Sequence, residues 1–291
     1  MPSARSINSR KRQISLSGEN PSIAADIENI NEMNNLNRVL YERRDRVGII
    51  TLNRPEVLNA FDRAMYEGVN HALQLLRDDN AAYVGVLQAA GDRAFSAGAD
   101  VKAIAEDMKT GMFGGYGPLI SDDDMVTAKP IIAAVHGHCI GEGVNLMLAC
   151  DLVVADETAK IAVSEARIGI NAVDIPLKLA RKLGYAKAFA LLVPGDAKDA
   201  SWCQEAGLVE IVTSAGQAQA YAFELATEIA QSCGPLAVQA QKETLWRAVF
   251  EGEAAGRRAG MKWRELTRPS QDYAEGQKAF IEKRKPVFKG H

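Results

Sequence analysis

The chain has 291 residues, 34 of them basic and 37 acidic, for a formal charge of -3. That length suits one large domain, or a core with an appendage, and it can bury a substantial interior. The near-neutral balance leaves no electrostatic footprint for nucleic acid and no polybasic membrane surface, so a small molecule is the default partner.

No apolar run reaches the roughly 20 residues of a membrane span, and the expectation is a soluble protein. Cys139, Cys150, Cys203 and Cys233 show no CxxC spacing, so reduced thiols are expected, in the cytoplasm or an organelle matrix. Of the four histidines only His136 and His138 lie close together, which falls short of a metal-ligand pattern. Neither a metal nor a separate cofactor is expected.

Residues 1–37 are polar, rich in Asn and Ser, and read as a disordered tail because they bury too little apolar surface to offset their ordering entropy. Within them, Arg5, Arg10, Lys11 and Arg12 without acids faintly resemble a transit peptide. From Val39 the pattern predicts a hairpin: Val39 and Tyr41, a reversal at Arg43 to Asp45, then Val47 to Leu52. Asp62 caps a predicted helix with apolar Met65, Val69, Leu73 and Leu76, closed by Asp78 and Asp79.

"YVGVLQAAG", "PIIAAVHG" and "CDLVVAD" are short β-rich runs that alternate with helical segments, which argues for an α/β core with buried strands. After about Cys233 only helical patterns remain. The expected organisation is therefore a tail over 1–37, an α/β core over 38–232 and a helical region over 233–291.

Two stretches point to chemistry. "RAFSAGADVKAI" (93–104) and "HCIGEGVNLMLACDLV" (138–153) each place glycine and small residues between a strand and a helix. Main-chain N–H groups in such turns are accessible, and the helix dipole adds positive potential. Two such turns face to face would form an oxyanion hole; singly, each also reads as a plain bend.

Together with "NRPEVLNAF", "KPIIAAVHG", "ADETAKIAVSEARIGI" and "AGLVEIV", these stretches resemble, in order over roughly residues 38–290, the signatures of the crotonase superfamily, also called the enoyl-CoA hydratase/isomerase family. The resemblance implies a spiral of repeated ββα units, a C-terminal helical trimerisation region, trimers or hexamers, and a coenzyme A thioester as substrate, the coenzyme being part of the substrate. It assigns the oxyanion donors to the N–H groups of Ala99 and Glu142. Ala97, Asp100 and Gly141 fall in the substrate-binding turns, and Lys102 and Arg54 become candidates for the coenzyme A phosphates.

The family commonly carries glycine where Glu142 stands, but any residue except proline supplies the N–H. The side chain of Glu142 has several readings: a first-turn acid, a substrate contact, a compensating acid, or a second acid/base group. Hydratases of the family place two glutamates at the positions held here by Asn145 and Glu165. Glu165, flanked by apolar residues, is the expected general base, whereas Asn145 can orient a water but cannot exchange a proton.

One carboxylate beside an enolate-stabilising hole favours double-bond isomerisation slightly over hydration. The alternatives are a thioester hydrolase, lyase or dehalogenase of the superfamily, with Asp174 a conceivable nucleophile, or a non-catalytic or RNA-binding homologue. Trp246, Phe250 and Trp263 read as core or interface, or as a roof over an acyl chain.

Overall fold

The computed structural model describes residues 38–109 and 118–291. The stretch expected as a tail lies outside the described residues. The hairpin forms as expected from strands β1 (Val39–Arg44) and β2 (Val47–Leu52), with Val39 opposite Leu52. The reversal falls later than expected: β1 continues through Arg44, and the turn begins at Asp45, in the left-handed region at φ 52°. Asp is one of the few non-glycine residues that tolerate that conformation.

Helix α1 (Arg63–Asp78) begins where the Asp62 carboxylate accepts from Met65 N at 3.0 Å. Met65, Val69, Leu73 and Leu76 are all buried, so the expected apolar stripe is the one that packs. The chain then follows a repeated path. Strand β3 (Val84–Ala89) leads to β4 (Ala94–Ser96) and helix α2 (Val101–Lys109).

Beyond a short helix, α3 (Ile120–Asp123), strand β5 (Ile131–Val135) leads to β6 (His138–Ile140) and helix α4 (Glu142–Leu148). Strand β7 (Leu152–Asp156) leads to β8 (Lys160–Ala162), a 3-10 turn over Glu165–Ile168, and helices α5 (Asp174–Leu183) and α6 (Tyr185–Leu192). Strand β9 (Lys198–Asp199), helix α7 (Ala200–Ala206) and β10 (Ile211–Thr213) complete the strand-bearing part.

Each ββα passage puts its first strand in a six-stranded sheet, ordered β1-β2-β3-β5-β7-β10, and its second in a four-stranded sheet, ordered β4-β6-β8-β9. From β2 onward the large sheet is parallel. Its strands read as continuous apolar runs because both faces are covered. Over one face lies α8 (Ala218–Ser232), which presents Ala218, Ala222, Ala226 and Ala230 to Val47, Ile49, Val84, Val86 and Ile132. Alanine at every fourth position lets helix and sheet approach closely.

Helices α9 (Pro235–Phe250), α10 (Glu253–Thr267) and α11 (Gln271–Glu282) form the helical region expected after Cys233. The chain end folds back onto α11: the Asp272 carboxylate accepts from Lys289 N at 2.6 Å and Gly290 N at 2.8 Å, and Asp272 N donates to His291 O at 3.1 Å. Arg46 Nη1, in the first hairpin, donates to Phe288 O at 2.8 Å. Among the described residues no helix is long and apolar enough to cross a membrane.

Candidate active site

The small sheet positions the site. Strands β4, β6 and β8 are parallel neighbours, with Ser96 opposite Cys139 and Ile140 opposite Ala162. Parallel neighbours end together, so the turns holding Ala97–Asp100, Gly141–Glu142 and Glu165 emerge side by side at carboxyl ends of strands, the edge where open α/β sheets present ligand sites.

Both glycine turns require glycine. Gly98 has φ 86°, and a methyl group built on it would lie 2.9 Å from Ile140 O and 3.6 Å from Glu142 N. Gly141 has φ 51°, and its methyl would lie 2.7 Å from Glu165 Oε1. Left-handed backbone and close packing thus coincide, and the same contacts show the three turns touching.

The two N–H groups are unspent. Ala99 forms a parallel bridge with Phe61. That bridge uses the flanking groups, Phe61 N to Gly98 O and Asp100 N to Phe61 O, both 2.8 Å, so the N–H of Ala99 points away from it. Glu142 opens α4, where no helical carbonyl is available. Among the described residues neither N–H has an acceptor. By contrast, Ala97 N donates to Leu58 O (2.9 Å) and Gly141 N to Ala162 O (3.0 Å).

Glu165 follows β8 in the first turn of the 3-10 helix. Its Oε2 is buried without a hydrogen-bond partner among the described residues, and Oε1 lies over Gly141. Burial pushes its carboxyl above the usual carboxylate range, opposed by the Glu165 and Ser164 backbone N–H groups. A raised carboxyl in a buried site has the character of a candidate acid/base group.

Asn145 is fully engaged. Its Nδ2 donates to Glu142 Oε1 at 2.9 Å and to Asp122 Oδ1 at 3.2 Å, while Oδ1 accepts from Lys178 Nζ at 2.8 Å. Lys178 also donates to Asp122 Oδ1 at 2.6 Å. Burial raises Glu142 above the usual carboxylate range, with Asp122 adding to the rise; Asn145, Tyr66 and Lys178 oppose it. Asp122, Lys178 and Tyr66 were not expected from the sequence. Lys178 had a signal: it sits three residues after buried Ile175 and one before buried Leu179, at the inner edge of α5.

The expected phosphate contact at Arg54 meets a competing arrangement. Its Nη1 donates to Asp100 Oδ2 at 2.8 Å and Ala60 O at 3.0 Å, so that nitrogen is spent within the protein. Burial would raise Asp100, but the Ala103 N–H and Arg54 hold its carboxyl below the ordinary range. Arg54 and Asp100 therefore brace the Ala99 turn. Lys102 is exposed on α2.

A cavity of about 1060 Å3 lies beneath α9, walled by Leu146, Leu177, Trp246, Phe250, Asp122 and Lys178. Asp174 lines it from the first turn of α5, whereas Ala99, Glu142 and Glu165 do not. Trp246 stacks on Phe250 with ring centroids 4.6 Å apart, and Trp263 Nε1 donates to Glu243 Oε2 at 2.8 Å.

Fold and site together define a spiral ββα protein that gathers a buried carboxyl and two N–H groups without acceptors among the described residues. The family model described as enoyl-CoA hydratase/isomerase matches residues 42–291, and the chain belongs to that family. It is 32% identical over 256 residues to 2,3-dehydroadipyl-CoA hydratase of Escherichia coli (strain K12), covering 88% of this chain and 100% of that one. It is 33% identical over 266 residues to the mitochondrial enoyl-CoA hydratase of Pongo abelii, covering 88% and 89%. The enoyl-CoA hydratase structure from Mycobacterium tuberculosis H37Rv is similar at a TM-score of 0.79 and 33% identity, covering 87% of this chain and 99% of that one. These names give the expected preference for isomerisation no support.

Proposed function

We propose that the protein hydrates 2-enoyl-CoA thioesters reversibly, with the thioester oxygen held by the N–H groups of Ala99 and Glu142 and with Glu165 exchanging the proton at Cα. The observation that carries this reading is the buried carboxyl of Glu165, with Oε1 over Gly141 and Oε2 without a hydrogen-bond partner among the described residues, beside two N–H groups that have no acceptor among them. The hydratase names of the relatives support water addition as the reaction.

As water adds at Cβ, the double-bond electrons move to the thioester oxygen. Two N–H donors fixed beforehand stabilise that charge without reorganising, an effect worth about 3–4 kcal/mol for a single donor in a buried site. Glu165 then delivers a proton to Cα as the enolate collapses. Lys102, exposed at the start of α2, is the cation this reading leaves for a coenzyme A phosphate.

Isomerisation stays as a second reading, because Asn145 cannot exchange protons and its amide is bonded at both ends. The test is a series of 2-enoyl- and 3-enoyl-CoA thioesters of varied chain length. Loss of the conjugated absorbance from 2-enoyl substrates supports hydration; turnover of 3-enoyl substrates alone sinks it. The reading also includes a homotrimer or hexamer, supported by exposed Leu177, Leu245 and Val249 around the cavity.

A further inference from the structure

Adding water across a double bond requires two proton movements. The O–H bond of water breaks as its oxygen bonds Cβ, and a C–H bond forms at Cα when the enolate returns its electron pair. A single carboxylate must carry one proton across the whole distance. Two carboxyls, one ionised and one protonated, divide the work.

We infer that Glu142 is the second proton-transfer group of this site, its carboxyl held in place by Asn145, Tyr66 and the Lys178–Asp122 pair. The inference rests on the hydration reading above. Glu142 and Asn145 are three residues apart on α4 and share one face of the helix. The amide of Asn145 has one possible orientation: Oδ1 accepts from Lys178 Nζ, so Nδ2 must face Glu142 Oε1 and Asp122. Asn145 therefore acts as a positioning residue for the neighbouring carboxylate.

Asp122, from α3, is paired with Lys178, from α5, at 2.6 Å, and both are nearly buried. Their charges largely offset one another. Tyr66, from α1, supplies a second hydrogen bond to Glu142. Glu142 is thus a carboxylate with two neutral donors and no cation of its own, next in sequence to the glycine on which Glu165 rests.

Burial raises both carboxyls and each has donors that oppose the rise, Asn145 and Tyr66 at Glu142 and backbone N–H groups at Glu165. Only Glu165 keeps an oxygen, Oε2, without a partner among the described residues, which makes it the member of the pair that carries the proton for Cα. In the forward reaction Glu142 accepts the proton from water as the C–O bond forms. The double-bond electron pair moves to the thioester oxygen and returns, and Glu165 gives its proton to Cα. Glu142 ends protonated and Glu165 ionised, and exchange with solvent restores the starting state. No oxidant or other reactant is needed.

Two readouts separate this role from a structural one: hydration of a 2-enoyl-CoA, and exchange of the Cα hydrogens of saturated butyryl-CoA with deuterated water. The exchange needs only Glu165 and the two N–H donors. Glu165→Gln should lose both. Glu142→Gln should lose hydration by at least about 10²-fold, the low end for acid–base groups, and keep the exchange. The double variant Glu142→Gln with Asn145→Glu, which moves the carboxyl one turn along the same face, should regain at least roughly tenfold of the lost hydration, within that acid–base range.

Glu142→Gly keeps the main-chain donor and must agree with Glu142→Gln; it also serves if the glutamine variant folds poorly, as judged by melting and acyl-CoA binding. Hydration at the wild-type rate in Glu142→Gln overturns the inference, as does loss of exchange together with hydration. A wild-type protein that exchanges Cα hydrogens but hydrates no enoyl-CoA overturns the hydration reading itself, and this inference with it.

Discussion

A carboxylate buried without a partner lowers the stability of the protein that holds it, and among the described residues Glu165 Oε2 has none. Its carboxyl lies above the ordinary range through burial, so the folded form binds that proton more tightly than the unfolded chain. Stability from this group is fully present below the ordinary carboxylate range and is lost as pH rises through the raised value. Glu165→Gln should therefore melt above the wild type at pH 8, with the gap closing at pH 4, while activity falls by at least about 10²-fold. Thermal melts at the two pH values check the sign. Gly141→Ala tests the same contact from the other side: its methyl would meet Glu165 Oε1 at 2.7 Å on a left-handed backbone. A cost of about 1–2 kcal/mol in stability is expected, with kcat falling more than KM rises. Glu165 was legible because its surroundings form a motif. Asp122 was not, because it acts across space on Asn145 and Glu142, and a run of three acids carries no spacing that says so.

Among the elements, the strands of the large sheet could be read directly, since burial on both faces leaves runs such as "VGIITL" and "IIAAV". Those of the small sheet could not. Three residues, as in β4, β6 and β8, are too few to show a period, although these strands fix the three turns of the site. The C-terminal end of α1 shows another device outside sequence pattern. Buried Lys129, just before β5, donates to Leu76 O at 2.8 Å and Asp79 O at 2.6 Å, closing the helix with a side chain from elsewhere in the chain. Burial lowers its ammonium to about 8 despite Asp79 and Asp78. Lys129→Met leaves two carbonyls without that donor and should cost about 2–3 kcal/mol, read by urea unfolding. On α8, Ala226→Leu should cost about 1–3 kcal/mol by overpacking, because Ala226 is fully buried against the sheet.

At the scale of the whole molecule, the exposed apolar side chains gather on the later part of the chain, including Leu177 on α5 and Leu245 and Val249 on α9. If these faces meet in an oligomer, sedimentation should give a species larger than a monomer. Leu245→Glu with Val249→Glu should then shift it toward the monomer, because two charges in an apolar contact are costly to desolvate. The helical region itself was legible from charge-rich helical patterns, but its attachment was not, since it depends on main-chain groups of the last residues rather than on side-chain type.

The bond from Arg46 to Phe288 O joins residues 242 positions apart, and the first hairpin can make it only once translation has passed Phe288. At about 5–20 residues per second the hairpin waits roughly 12–50 s on the ribosome before that partner exists. During that interval the Arg46 guanidinium has the Tyr83 ring, 4.8 Å away, and solvent as its partners. A nascent protein stalled shortly before Phe288 would have every strand of both sheets available and still lack this closure. Translation of Phe288, and not the pairing of strands, sets the earliest moment at which this bond can form.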